Sequence, residues 1–357
     1  MTTAIVSDLH LGTVSGADVA RRPEPLERLL DVVRAAHRIV FLGDLLELRE
    51  RPVAAVLDDV AAVLRRVGEA AAGKDVLLVP GNHDYQLVAP ALERARLSES
   101  GGLGLASEFE PSPGDLVAAV AGLMPDSRVT VSYPGVWLRD DVYATHGQYL
   151  DVHMTVPRVE SLVAAVVRRY ATRTGADGPT SVEEYEAVVA PIYALAHSVA
   201  QNARARPHVR RNNLSRDVWT AATGNGTGGR LKGFLIGRAA IPGAVAAINA
   251  LGFGPFSSDI STGELRRSGL RAMGEVVDRL GIEADYVIFG HTHRAGPLPG
   301  EGEGWRATNG ARLVNSGSWI AERTFGGEDG PSNPYWPGRV VWLDDAGSPR
   351  VESVLSP

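Results

Sequence analysis

The sequence predicts an α/β fold in which a mixed-sheet core is interrupted by a mainly helical insertion. Three observations carry that prediction. Short apolar, β-rich runs recur and each ends in a polar loop. Helical patterns separate the first of these runs, and the rhythm then breaks between about residues 150 and 284. Runs this short and this rich in β-branched residues read as buried strands rather than helices, and strand–helix alternation builds α/β layers.

In chain order, strands are expected at Thr3–Ser7, Arg38–Leu42, Asp75–Pro80, Arg128–Tyr133, Val142–Thr145, Asp285–Phe289 and Leu313–Asn315. Helices are expected at Glu24–Ala36 and Pro52–Ala72, the second with a stripe running from Val53 through Val60 and Leu64 to Val67. The last runs, near Ala307–Asn315, Arg339–Leu343 and Arg350–Leu355, follow one another without helices, so part of the sheet must be antiparallel or mixed. Inside the interruption, Thr155–Thr172 has a helical face. Ser181–Ala203 opens with a capping box (Ser181, Glu184) and repeats Tyr185, Val188, Val189, Ile192, Ala196 and Val199, and Ser261 with Glu264 opens a third helix. Thr223–Gly229 reads as a Gly-rich tip. The expected division is a core of residues 1–150 and 285–357 and a helical insertion of 151–284.

The 357 residues are ample for a core, with 44% hydrophobic and 22% charged residues. The absence of Cys excludes disulfides, thiolate metal sites and a thiol nucleophile. A net charge of −6 argues against a sequence-independent nucleic-acid binder. The start lacks the basic and apolar regions of a signal peptide, and the uncharged stretch Ala239–Phe256 contains Pro242, Pro255 and Asn249, so neither a leader nor a membrane span is expected. A cytoplasmic location is the expectation.

Five polar clusters stand at the carboxyl ends of the predicted strands: Asp8-Leu9-His10, Gly43-Asp44, Gly81-Asn82-His83-Asp84, His146-Gly147 and Gly290-His291-Thr292-His293. In open α/β sheets ligands bind beyond those ends. Asp8 with His10, and His291 with His293, are each two apart and would share a side of an extended segment. Imidazoles, carboxylates and one amide oxygen suit Mn, Fe, Zn or Ni rather than Ca. They are too many for one tetrahedral ion, so two ions sharing a carboxylate is the economical reading. Each cluster alone has a bland explanation as a turn or cap; their joint occurrence in order does not.

Taken together, these motifs resemble the signature of the calcineurin-like metallophosphoesterases: Asp-x-His, Gly-Asp, Gly-Asn-His-Asp/Glu, His and Gly-His-x-His. The resemblance implies a four-layered αββα sandwich and a dinuclear metal centre. It implies Asp8, His10 and His293 on one ion, Asn82, His146 and His291 on the other, Asp44 bridging, and His83 as the catalytic histidine. Asp84 is expected to orient His83. Asn315-Ser316-Gly317-Ser318 resembles the turn that follows the last motif, with Ser in place of the usual Pro. Such a centre hydrolyses a phosphate ester by in-line attack of a bridging hydroxide, without a covalent intermediate. The runs Ser7–Gly12 and Gly43–Leu48 also resemble the UDP-diacylglucosamine pyrophosphatase branch, which carries a helical lid. That branch usually has Arg where His83 stands, and the insertion here is longer.

Between His197 and Ala240 eight basic residues face one acid, Asp217. Arg210 and Arg211 are the candidate clamp for an anionic part of the substrate. With the apolar stretch beside them, they suggest an amphiphilic phosphate substrate and peripheral membrane contact. The competing readings are a nuclease, disfavoured by few aromatics among the basic residues, and a non-catalytic metal-binding scaffold.

Overall fold

The computed structural model describes residues 1–98, 102–170, 178–202, 241–251, 253–259, 261–302, 304–321 and 330–356. Arg210, Arg211 and the Gly-rich tip lie outside the described residues. Ten strands are joined in the order β10-β9-β1-β2-β3-β5-β6-β7-β8, with β4 also on β5. They are β1 Thr3–Val6, β2 Arg38–Phe41, β3 Asp75–Leu78, β4 Ala106–Phe109, β5 Arg128–Arg139, β6 Val142–Thr145, β7 Tyr286–Phe289, β8 Arg312–Asn315, β9 Arg339–Leu343 and β10 Arg350–Ser353.

The long β5 belongs to two sheets. Its first half runs parallel to β3 and antiparallel to β4; from Gly135 onward it pairs antiparallel with β6. One sheet is therefore β10-β9-β1-β2-β3-β5-β4, with β1, β2, β3 and β5 parallel, and the other is β5-β6-β7-β8, parallel from β6 to β8. The expected end at Tyr133 was too early: Pro134-Gly135 reads as a break, but it is where the strand passes from one sheet to the other.

Alternation across the strands makes the layers. Ile5, Val40, Leu77, Val136, Ala144, Ile288, Val314 and Val341, drawn from both sheets, form one buried cluster, the seam between the sheets. The intervening Ala4, Val6, Ile39, Phe41, Val76 and Leu78 face the other way. They share a core with Leu29, Leu30 and Val33 of α1 (Pro23–Ala35) and Val56, Val60, Leu64 and Val67 of α2 (Val53–Ala70). On the second sheet Tyr143, Val287, Phe289 and Leu313 share that core with Met273, Val276 and Val277 of a helix at Thr262–Arg279. This is the four-layered sandwich.

Between β3 and β5 the sequence reading placed no element; α3 (Ala89–Leu97), β4 and α4 (Leu116–Ala121) lie there. None of them buries a long apolar stripe, which is why periodicity missed them. The Ala307–Asn315 strand is shorter than expected, because the chain turns at Asn309-Gly310 and only Arg312–Asn315 pairs with β7.

The helices after β6 are α5 (Val159–Tyr170), α6 (Val182–Gln201), α7 (Ile241–Ala250) and α8, the Thr262–Arg279 helix. Ser181 and Ser261 cap α6 and α8 by accepting from the backbone N–H of Glu184 and Glu264. α7 and the chain after it pack on α5: Val245 and Phe256 bury against Ala165, flanked by Leu162, Ile248 and Phe253. Val245 and Phe256 are thus core of the helical region, while Leu251 of the same stretch is exposed. Among the described residues no helix is long and apolar enough to cross a membrane.

α6 is rotated from its expected face. Val199 is 60% exposed, whereas Glu186 and Tyr193 are buried with Tyr185, Val188 and Val189. The reason is a carboxylate network: Glu186 accepts from Tyr85 (2.7 Å), Tyr133 (2.6 Å) and Tyr149 (2.6 Å). Three phenols from three core segments compensate the buried charge and fix the helix over the carboxyl ends of the strands.

Candidate metal centre

Each predicted ligand follows a strand end. β1 leads into Asp8 and His10, β2 into Asp44, β3 into Asn82 and His83, β6 into His146, and β7 into His291 and His293. The two-apart pairs are not extended as expected. Asp8, His10, Asp44, His291 and His293 are the non-glycine residues with positive φ among the described residues, at 45–66°. Left-handed backbone costs an ordinary residue about 1–2 kcal/mol, so the surroundings must hold it there. The loops zip together to do so: Asp8 N–H donates to Gly43 O at 3.0 Å, His10 N–H to Asp44 O at 2.8 Å, and Leu11 N–H to Leu45 O at 2.9 Å. The turn at 315–317 braces the last loop, with Asn315 Nδ2 donating to Gly290 O and Thr292 Oγ1 and Ser316 Oγ meeting Ser7 Oγ at 2.7 Å. Gly43 (φ +84°) admits the His146 ring, since a Cβ there would lie 2.1 Å from Nδ1.

All seven predicted ligands and His83 come together. Asp8, His10 and His293 form one compact donor group and Asp44, His146 and His291 another. In the first, His10 Nε2 lies 3.1 Å from His293 Nε2, and His293 Nε2 lies 3.3 Å from Asp8 Oδ1. In the second, Asn82 Oδ1 lies 3.2 Å from His146 Nε2 and 3.0 Å from His291 Nδ1. Asp44 Oδ2 is common to both, 3.5 Å from His10 Nε2 and 3.3 Å from His146 Nε2. Two ligands at right angles on an ion with bonds of about 2.1 Å stand about 3.0 Å apart. The donor atoms therefore already hold the spacing that two ions require.

The remaining atoms of these residues are tied down, which leaves the ligand atoms free. His10 Nδ1–H donates to Glu47 Oε2 at 3.2 Å, His146 Nδ1–H to Leu42 O at 3.0 Å, and His291 Nε2–H to Asp151 Oδ2 at 2.9 Å. Each bond selects the tautomer whose other nitrogen faces the cluster. Asp44 Oδ1 accepts from His83 N–H and Asp8 Oδ2 from His291 N–H, while Asp8 Oδ1 is fully buried with no hydrogen-bond partner among the described residues. A buried anionic oxygen without a partner is costly, and a cation satisfies it. The Asn82 amide points the same way. Turned over, it would donate to both imidazoles and accept from Arg49 Nη1 at 2.8 Å; a cation selects the orientation with oxygen inward. The residues present fit two metal ions.

Burial raises the carboxyls, but His293 outweighs it at Asp8, and His146 and His83 do so at Asp44, holding both below the ordinary range. Burial lowers His146, yet Asp44 and Asp8 outweigh it and push it up to about 9. That proton must leave before Nε2 can ligate, so Mn²⁺ uptake is expected to weaken below about pH 9, by up to about tenfold per pH unit for one proton. Calorimetric titration at several pH values checks it; a pH-independent affinity of the second site would remove His146 from the ligands.

Asp84 corrects the sequence reading. Its carboxylate does not reach His83 but accepts backbone N–H groups of Gly81 and Leu45, both at 2.7 Å, and more weakly of Asp44 and Leu46. Burial and the charge of Asp44 push it up to about 6 despite the bonds from Gly81 and Leu46. It shapes the loops, and the group behind His83 is Glu47, whose Oε2 accepts from His83 Nδ1–H at 2.6 Å. Sequence reasoning also missed Arg49, whose Nη1 lies 3.3 Å from His83 Nε2 and which pairs with Glu160 of α5, and it missed Asp151. Glu47 carried a signal, an acid among Leu45, Leu46 and Leu48 that could only be buried and paired.

The family model for calcineurin-like phosphoesterases matches residues 1–178. The chain belongs to that family and is a metal-dependent phosphoric ester hydrolase, acting on a phosphorylated substrate with two divalent metal ions. Among solved structures it is similar to a dimetal phosphatase from Danio rerio (14% identity, 99% of each chain covered, TM-score 0.35). It is also similar to a cold-active protein-tyrosine phosphatase of a Shewanella species (13% identity, 98% of this chain and 80% of that one, TM-score 0.29). Likenesses this distant add nothing to the family assignment. No curated protein matches.

Proposed function

We propose that the protein hydrolyses a phosphate ester at a centre in which Asp8, His10 and His293 hold one ion, Asn82, His146 and His291 the other, and Asp44 both. The observation that carries this reading is Asp44 Oδ2, within 3.5 Å of His10 and 3.3 Å of His146. Histidines and carboxylates favour Mn, Fe or Zn. When bound, two such ions neutralise phosphoryl oxygens and lower the pKa of a water. The chain does the rest. Glu47 fixes the His83 ring through Nδ1, so Nε2 is turned to Arg49, 3.3 Å from its Nη1. Burial lowers the His83 pKa more than Glu47 and Asp44 raise it; an incoming phosphate brings the negative charge that lets Nε2 take a proton and pass it to the leaving oxygen. Arg49, anchored by Glu160, offers guanidinium donors on the same side.

Residues 151–284 are the proposed insertion, with α5 and α6 as the proposed lid over the centre, and Arg210 and Arg211 as the proposed clamp on a distal anion. Burial of Val245 and Phe256 removes part of the case for an amphiphilic substrate, because that apolar surface is used within the lid.

The test is turnover of p-nitrophenyl phosphate and bis(p-nitrophenyl) phosphate by Mn²⁺-loaded protein, with and without chelator. We expect turnover that the chelator removes, and the diester-to-monoester ratio assigns the substrate class. A preference for single-stranded DNA over both would favour a nuclease. Two bound ions without turnover of any ester would favour a scaffold and sink the proposal.

A further inference from the structure

Arg49 stands between the candidate centre and α5, with a different claim on it from each side. It leaves the loop after β2 beside Glu47, whose Oε1 accepts its backbone N–H at 3.0 Å. Its side chain is 21% exposed, so solvent and solutes reach it. Nη1 lies 3.3 Å from His83 Nε2, the nitrogen left as an acceptor when Nδ1–H is given to Glu47. Nη2 lies 3.6 Å from Oε1 of Glu160 on α5. That distance is beyond a hydrogen bond, so charge holds the pair rather than a shared hydrogen.

A working centre disturbs the contacts of Nη1. For His83 Nε2 to take a proton and pass it on, Nη1 must give up its bond there. With its oxygen turned to the imidazoles, as a cation requires, the Asn82 amide presents nitrogen to Nη1 at 2.8 Å, donor against donor. Both effects send the guanidinium to another acceptor. A phosphoryl oxygen beside His83 is that acceptor, because it is anionic and takes short hydrogen bonds from a guanidinium fork. Glu160 is the charge from which the guanidinium must be drawn, and it offers only the longer contact.

Resting on the phosphoesterase reading above, we infer that Glu160 limits phosphate affinity by competing for Arg49. The guanidinium passes from Glu160 and His83 Nε2 to a phosphoryl oxygen when the ester binds, and returns when phosphate leaves. By linkage, α5 is held less tightly to the loop after β2 in the bound form. Glu160 touches no reacting atom. It is a positioning residue that acts through Arg49 and hastens release of the product.

The test is calorimetric binding of inorganic phosphate to full-length, Mn²⁺-loaded wild type, Glu160→Gln, Arg49→Gln and the double variant. Metal content, Tm, and kcat and KM on the better p-nitrophenyl ester are followed on the same samples. Glutamine keeps the shape and helix preference of glutamate, so Glu160→Gln should fold and keep two Mn²⁺. Its phosphate affinity should rise about three- to fivefold, the worth of a partly exposed ion pair, and KM should fall with it. Arg49→Gln should lower phosphate affinity by at least about tenfold, as for lost hydrogen bonds to a charged group. The double variant should match Arg49→Gln within about twofold, because Glu160 then has nothing to compete for. Wild-type or weaker phosphate affinity in Glu160→Gln overturns the inference, as does wild-type affinity in Arg49→Gln. So does a rise that persists in the double variant, where the carboxylate acts on phosphate directly, or one that comes with altered Mn²⁺ content. If wild type turns over ester but binds phosphate too weakly to measure, KM across the four proteins decides in the same way. If wild type neither binds phosphate nor turns over ester, the phosphoesterase reading fails, and this inference with it.

Discussion

Asp44→Asn is expected to reduce turnover of either p-nitrophenyl ester by at least about 10³-fold and to leave the protein unable to keep two Mn²⁺. The carboxylate serves three masters at once. Oδ2 stands between His10 and His146, and Oδ1 accepts the His83 backbone N–H at 2.8 Å. An amide of the same shape carries no charge, and with its oxygen on His83 N–H it turns an NH₂ group on the position between the two ions. Uncompensated cation–cation repulsion then expels at least one of them. Metal analysis after gel filtration, with turnover on the same sample, gives the answer. Two retained ions with activity within tenfold of wild type would mean that Asp44 is not the shared ligand.

His83→Asn should behave differently: both ions retained, and kcat lower by about 10²–10⁴-fold, the range for loss of a general acid. His83 gives Asp44 its backbone N–H and its ring packs edge-on against His10, centroids 4.5 Å apart, but its Nδ1 is taken by Glu47 and the proposed ligands are other residues, so metal content should not move. Glu47→Gln should combine a partial loss of both properties. Glu47 Oε2 accepts from His10 and His83 while Oε1 accepts the Arg49 N–H at 3.0 Å. Glutamine offers a single accepting oxygen, so one of those two sides must face a donor with a donor. Loosening His10 should weaken metal affinity by about 10–100-fold, as for other partners behind ligating histidines, while loosening His83 lowers kcat. A Glu47→Gln protein that lost metal but kept wild-type kcat at saturating Mn²⁺ would mean that Glu47 serves His10 alone.

The core was legible because buried parallel strands are short, apolar and β-branched, and because each releases its ligands within a few residues of its end. Asp8, Asp44 and His291 could be placed from the runs Thr3–Val6, Arg38–Phe41 and Tyr286–Phe289 alone. What lay beyond periodicity was the choice between neighbouring acids. Asp84 is adjacent to His83 in the chain, yet three backbone steps of loop geometry turn it to Gly81 N–H, and Glu47 arrives from another strand's loop. Arg49 and Asp151 were invisible for the same reason, since their partners are distant in sequence. The face of α6 was misread because apolar residues were assumed to point inward. A glutamate that receives three phenols is as firmly internal as any valine, but nothing in a single sequence announces the phenols.

The two donor groups also have a mechanical meaning, set by the division of β5 between two sheets. Asp8, His10, Asp44 and Asn82 hang from β1, β2 and β3, whereas His146, His291 and His293 hang from β6 and β7 on the other side of the apolar seam. Each ion would therefore be gripped by both halves of the sandwich. Along most of its length the seam is held by side chains such as Val40 and Ile288, which carry no directional bonds. At its catalytic end it would be riveted by coordination, in bonds of fixed length between the two halves. The protein's stiffness and its chemistry then draw on the same two ions, and a cell that starves it of metal unfastens the scaffold as it silences the enzyme.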